Sequence, residues 1–116
     1  MRAIVSSWDR KESNFRDVDW ENAFGVRLKG FTAVDQFITT RVRPTQRTAL
    51  MKVDEVRVSI IAPDIAVADR YWTLIGQTDG ENGPKLPDRK GRTTYVLQKQ
   101  NGMWTVLVER IADLRT

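Results

Sequence analysis

The chain contains no cysteine and no histidine. Without cysteine there is no disulfide and no thiol nucleophile. Without histidine the commonest general base at neutral pH is missing, as are the commonest zinc ligand and every Ser-His or Cys-His arrangement. No metal centre and no cofactor is expected from what remains. No apolar run approaches the roughly 18 residues that a membrane-spanning helix needs. The early stretch Ala3-Ile4-Val5 is too short for a signal-peptide core, so a cytoplasmic protein with no membrane partner is expected. The chain also lacks a block of one charge. Its net charge is +4, yet 19 Lys and Arg are interspersed with 15 Asp and Glu along the whole length. A nucleic-acid surface would cluster basic residues with exposed aromatics. A dispersed pattern reads as a solvated surface, and no nucleic acid is expected.

What is present fits one soluble domain. The 116 residues are 41% hydrophobic and 29% charged, enough to bury roughly two-thirds of the unfolded surface. The strongest local signal lies at residues 91–113. There Asn101-Gly102 separates two β-branched, aromatic-rich runs and accepts positive φ at both central turn positions, which predicts a hairpin. If that hairpin pairs without interruption, Gln100 faces Met103, and Arg110 falls opposite Thr93 on the Trp104 face. Upstream, residues 49–61 and 65–77 have period two. Met51 and Val53 share one phase and Val56, Val58 and Ile60 the other, so a β-bulge is predicted at Asp54-Glu55. In the next strand Ala66, Ala68, Arg70, Trp72 and Leu74 share a face. The Gly/Pro/charge-rich stretch 78–90 reads as a mobile hairpin loop.

Helical spacing appears once with strength. Phe31, Val34, Phe37, Ile38 and Val42 share a face, which predicts a helix from Phe31 to Arg43 stopped by Pro44. Thr32 with Asp35 resembles a capping box. A short helix over 2–11 would place Ile4 and Trp8 together, and 17–22 with 26–29 would make a small hairpin. These elements make an α+β domain: a curved antiparallel sheet wrapped on one main helix plus a short N-terminal helix. One sheet face, bearing Val67, Tyr71, Ile75, Val96, Leu107 and Ile111, has no second helix to cover it. A patch of that size is unusual on a monomer and predicts a homodimer packed sheet to sheet.

The order of elements resembles the nuclear transport factor 2-like superfamily, and within it the SnoaL-like domains. The resemblance rests on Asp19-Trp-Glu-Asn-Ala-Phe-Gly25, Arg27-Leu-Lys-Gly30, Ala62-Pro-Asp-Ile-Ala-Val67, Tyr71-Trp-Thr-Leu-Ile-Gly76, Gly91-Arg92 and Gln100-Asn-Gly-Met-Trp104. It covers about residues 15–113 and implies a cone-shaped pocket and usually a dimer. The N-terminus departs from the family, whose two helices are here shortened to about fifteen residues.

Two chemistries implied by the resemblance fail residue by residue. Where enzymes similar to ketosteroid isomerase carry an Asp base, this chain has Asn22, and an amide cannot take a proton at neutral pH. Tyr95 falls near their second oxyanion donor. Enzymes similar to limonene epoxide hydrolase use an aromatic-x-Asn, matched by Trp20-Glu21-Asn22, and an Arg-x-Asp, where Arg70-Tyr71-Trp72 keeps only the Arg. Arg110 stands in place of their last Asp. Asp54 at the bulge is the carboxylate left over for a site. The expected ligand-binding set is therefore Trp20, Asn22, Asp54, Arg70, Trp72, Tyr95 and Arg110. The expected function is a small-molecule-binding domain with a polar, anion-accepting pocket for a carboxylate-bearing ligand, anchored by Arg110. An enzyme of the cyclase, isomerase or lyase kind and a dimerising interaction module are the alternatives. An open polar cavity, rather than one filled by Trp72 and Trp104, separates the first two from the third.

Overall fold

The computed structural model describes residues 1–6 and 10–114. Six strands form one sheet: β1 (Asp19–Glu21), β2 (Arg27–Lys29), β3 (Leu50–Ala62), β4 (Ile65–Ile75), β5 (Arg89–Gln100) and β6 (Met103–Asp113). Their order is β2-β1-β6-β5-β4-β3. All neighbours are antiparallel except β1 and β6, which run parallel. The helices α1 (Arg2–Ser6), α2 (Glu12–Phe15) and α3 (Phe31–Phe37) accompany the sheet. The result is a mixed α+β fold with a curved open sheet. The core lies on the inner face, where Val5, Phe15, Val18, Trp20, Val34, Ala68, Tyr95, Leu97 and Val106 are buried together.

The strand alternation in β4 is as its sequence suggests. Ala66, Ala68, Arg70, Trp72 and Leu74 are all buried, and the residues between them are less so. The bulge also falls where the phase slips, between Val53 and Glu55. Asn101 (φ 51°) and Gly102 (φ 78°) make the β5–β6 turn. The 78–90 stretch holds more structure than a loop. Thr78 pairs with Lys85, and the Asp79 amide donates to the Pro84 carbonyl at 2.9 Å, which extends the β4–β5 ladder. That register puts Arg70 opposite Thr93.

Four expectations about local structure need correction. The N-terminal helix spans Arg2–Ser6 rather than 2–11, and Trp8 lies outside the described residues. The capping box of Thr32 and Asp35 is not formed. Gly30 (φ 87°) is the N-cap, and the Phe31 amide instead donates to the Arg16 carbonyl at 3.2 Å. Pro44 does not stop the helix. The chain widens into a π-helical turn over Ile38–Val42 and then tightens into a 3-10 turn over Arg43–Gln46. In an unbroken α-helix the Pro44 ring would clash with the carbonyl four residues earlier. The Arg43 amide reaches back to Ile38, five residues away, so the ladder has already changed register before the proline arrives.

The fourth correction concerns β6. Leu97 pairs with Val106, but Val96 pairs with Val108, so Leu107 is an extra residue at a bulge. Beyond it the faces exchange. Glu109 now lies opposite Tyr95, Arg110 opposite Thr94 and Ile111 opposite Thr93. Ile111 thus moves to the inner face and Arg110 to the outer one. The outer face is also less apolar than its sequence suggests. Val67, Val96 and Val108 form one row across it. The neighbouring rows carry Arg57 paired with Glu55 (2.9 Å), Thr94 donating to Asp69 (2.5 Å), and Arg110 paired with Asp19 (3.1 Å).

Candidate functional site

A cavity of about 940 Å³ opens between the inner face of the sheet and the irregular helix that runs from α3 to Gln46. Each wall is set by local structure. Trp20 is the inward residue of β1, and its ring lies against Phe37 of α3 at 5.6 Å between centroids. From β4, Trp72 presents its indole flat against the backbone of Gly91 on β5. A Cβ at position 91 would come within 2.1 Å of that ring, so the close approach requires glycine. Trp72 Nε1 donates to the Thr93 hydroxyl at 3.0 Å, which fixes the ring. Arg89 then stacks its guanidinium between the Trp72 and Phe24 rings, 5.6 and 5.2 Å from their centroids. Its head is held by Asp113 (2.7 Å) and Gln77 (3.2 Å).

The charge of the cavity is one-sided. Arg10, Arg41, Arg43, Arg47, Arg70 and Arg89 line it, and no Asp or Glu does so among the described residues. Burial sorts these cations by depth. Arg41, Arg43 and Arg47 are exposed at the rim, whereas Arg70 is 5% exposed. Arg10 is drawn inward by Glu109, the carboxylate that the β6 bulge turns to the inner face. Nη2 and Nε of Arg10 donate to the two Glu109 oxygens at 2.6 and 3.4 Å, a side-on pair. Burial opposes the Arg10 charge, but the Glu109 charge and hydrogen bond outweigh it and raise the Arg10 pKa. Glu109 itself is fully buried.

Of the residues expected at the site, Trp20, Asn22, Arg70 and Trp72 line the cavity. Asn22 is largely structural, because its Oδ1 accepts the Phe24 and Val26 amides at 2.9 Å each and closes the β1–β2 turn. Tyr95 is not at the surface of the cavity. It sits behind Arg70, whose guanidinium lies 5.8 Å from the centre of its ring. Burial pushes the Tyr95 phenol far above its usual value and the Glu109 charge adds to that, with Arg70 and Arg10 opposing. Two residues are elsewhere. Asp54 accepts from the Thr73 hydroxyl at 2.7 Å and lies 3.7 Å from Lys52, away from the cavity. Arg110, the expected anchor, faces outward to Asp19 and Glu21.

Sequence reasoning missed Arg10, Arg89, Glu109 and the rim arginines. Arg41, Arg43 and Arg47 carried a signal, three arginines spaced by two and four residues after an amphipathic helix. Arg10 and Glu109 carried none, since their meeting depends on the β6 bulge. Trp104 packs against the core and does not fill the cavity.

Among the described residues no helix is long and apolar enough to cross a membrane. No family model and no curated protein matches the chain. Solved structures do. A hexachlorocyclohexane dehydrochlorinase, LinA type 2, superposes with a TM-score of 0.78 at 11% identity, covering 97% of this chain and 78% of that one. A protein with a cystatin-like fold from Caulobacter vibrioides gives 0.73 at 17% identity, over 98% and 81%. A nuclear transport factor 2-like superfamily protein from Salmonella enterica serovar Typhimurium gives 0.70 at 18% identity, over 89% and 72%. At such identities the likeness is one of fold, and this chain has a cystatin-like, nuclear transport factor 2-like fold.

Proposed function

We propose that the chain is a binding domain for a small organic anion, with the arginine-lined cavity as its site. The observation that carries this reading is the lining itself: six arginines and no carboxylate among the described residues. A guanidinium cannot shed its proton, so cations held in a concave apolar surface favour an anionic guest. Trp20, Phe37, Ile38, Trp72 and Leu74 supply the apolar contact that such a guest's carbon body needs. The open cavity speaks against a purely dimerising module. The enzyme reading has less support, because no free general base lines the cavity among the described residues.

A thermal-shift panel of carboxylic acids against their own amides tests the proposal. An acid at tenfold its Kd adds about 1.4 kcal/mol, or roughly 5 °C for a chain of this size. Acids that stabilise no better than their amides would refute it.

We propose further that the protein is a homodimer through the outer sheet face. The row of Val67, Val96 and Val108, bordered by the polar row of Asp69, Thr94 and Arg110 with its ion pairs, has the apolar centre and polar border of an interface.

A further inference from the structure

We propose that the floor of the cavity is a carboxylate subsite made by Trp20 and Arg10, with Glu109 as the residue that positions Arg10. This rests on the anion-binding reading and adds to it where the head group sits and which class of anion fits.

The first observation is an orphan donor. Trp20 is 2% exposed and lines the cavity, and its Nε1 is buried with no hydrogen-bond partner. A buried N–H without an acceptor is unfavourable, so its persistence at the wall of a cavity fits an acceptor delivered by a guest that settles against the ring. The second observation is the orientation of Arg10. Glu109 takes Nε and Nη2, and Nη1 makes no hydrogen bond among the described residues. The third is adjacency, because Trp20 and Glu109 are register partners across the β1–β6 pairing. Trp20 and Arg10 both line the cavity and both neighbour Glu109, so in the proposed subsite one neutral donor and one cationic donor serve the same floor position.

That donor set selects the anion. Two donors match the two oxygens of a planar carboxylate. A phosphate monoester would bring a third oxygen and a second charge, which one indole N–H and one guanidinium already shared with Glu109 match less well. Above the floor the walls are Phe37, Ile38, Trp72 and Ile111. The guest is therefore a monocarboxylate with an apolar body, entering head first, while the exposed Arg41 and Arg43 at the rim steer it in.

The test uses 4-phenylbutyrate, 4-phenylbutyramide and phenyl phosphate as probes of the full chain. Nitrogen-15 spectra resolve the four tryptophan indole N–H signals, and Trp20→Phe assigns the one of interest. Phenylbutyrate is expected to move the Trp20 signal downfield and slow its hydrogen exchange, and the amide and the phosphate are not. Trp20→Phe is expected to weaken the acid at least tenfold more than the amide. The double variant Arg10→Met with Glu109→Gln removes both charges together, which avoids stranding one of them, and is expected to do the same. Arg41→Ser with Arg43→Ser is expected to slow association and leave the Trp20 shift intact. If the acid binds better than the amide but the Trp20 signal stays still and only the rim variant loses the preference, the floor subsite is wrong and the anion cavity stands. If the wild-type chain does not prefer the acid at all, both fall.

Discussion

Gly91→Ala should be among the most damaging single-methyl additions in the chain. The new Cβ would sit 2.1, 2.4 and 2.6 Å from three atoms of the Trp72 ring. Backbone on both β4 and β5 is fixed by the ladder, so the indole has to move. Overpacking of that kind costs roughly 1–3 kcal/mol. Displacing the ring also breaks its 3.0 Å bond to the Thr93 hydroxyl. Thr93 is 1% exposed, and a buried hydroxyl left without a partner adds about 1 kcal/mol or more. The sum is about 2–4 kcal/mol, or a Tm lower by roughly 7–14 °C. The decisive assay is a double-mutant cycle with Trp72→Phe, followed by calorimetry or urea unfolding. The three clashing atoms all belong to the six-membered ring of the indole, which phenylalanine does not place there. In the Trp72→Phe background, Gly91→Ala should therefore cost nothing, and should gain about 0.4–1 kcal/mol by restricting the unfolded chain. Equal costs in both backgrounds would refute the account of Gly91 and, with it, the account of what holds the cavity wall.

Three further outcomes follow from the geometry. Because burial raises the Tyr95 pKa above its unfolded value near 10, the folded state holds that proton more tightly; stability should be constant below about pH 10 and fall as pH rises beyond it, and a Tyr95→Phe variant should show a shallower decline in alkaline urea titrations. Val96→Lys, at the centre of the outer apolar row, should convert a sedimenting dimer to a folded monomer, and a wild-type chain that is already monomeric at micromolar concentration would remove the dimer proposal. Asn101→Ala should cost about 1 kcal/mol, since residue 101 has φ 51° and alanine lacks the local hydrogen bonding that eases asparagine into that region; a loss indistinguishable from zero in chemical unfolding would contradict this.

The parts of the fold that were legible in the sequence are those governed by a single local rule. Asn101-Gly102 needs only φ sterics, and β4 needs only alternation, because both of its faces are settled along one uninterrupted strand. The bulge at Asp54 was visible because two apolar phases collide there. The helix end was misread because a proline was weighed alone. In the structure Pro44 is accommodated by opening the preceding turn at Ile38–Val42 and tightening the following one. That exchange also carries Arg41, Arg43 and Arg47 around the cavity mouth. The missed irregularity and the missed arginines thus lie on one segment of the chain.

The β6 bulge explains the larger part of what was missed at the site. A strict alternation from Met103 makes Arg110 an inward residue and Glu109 an outward one, and both assignments reverse with one extra residue at Leu107. The warning was in the sequence. Val106-Leu107-Val108 is a run of three apolar residues next to Glu109-Arg110, and an alternating strand with one solvated face does not carry such a run unless it changes phase. What the sequence could not supply is the reason for placing a carboxylate inside. That reason is Arg10, ninety-nine positions away, which meets both Glu109 oxygens. A buried acid with no such partner would cost several kcal/mol, so the bulge and the docking of the N-terminal segment depend on each other. Arg110, released from the interior, finds Asp19 and Glu21 on the outer face. In the anion cavity proposed above the expected anchor Arg110 is therefore replaced: the inward cation beside β6 comes from the N-terminal segment, and β6 contributes the acid that aims it.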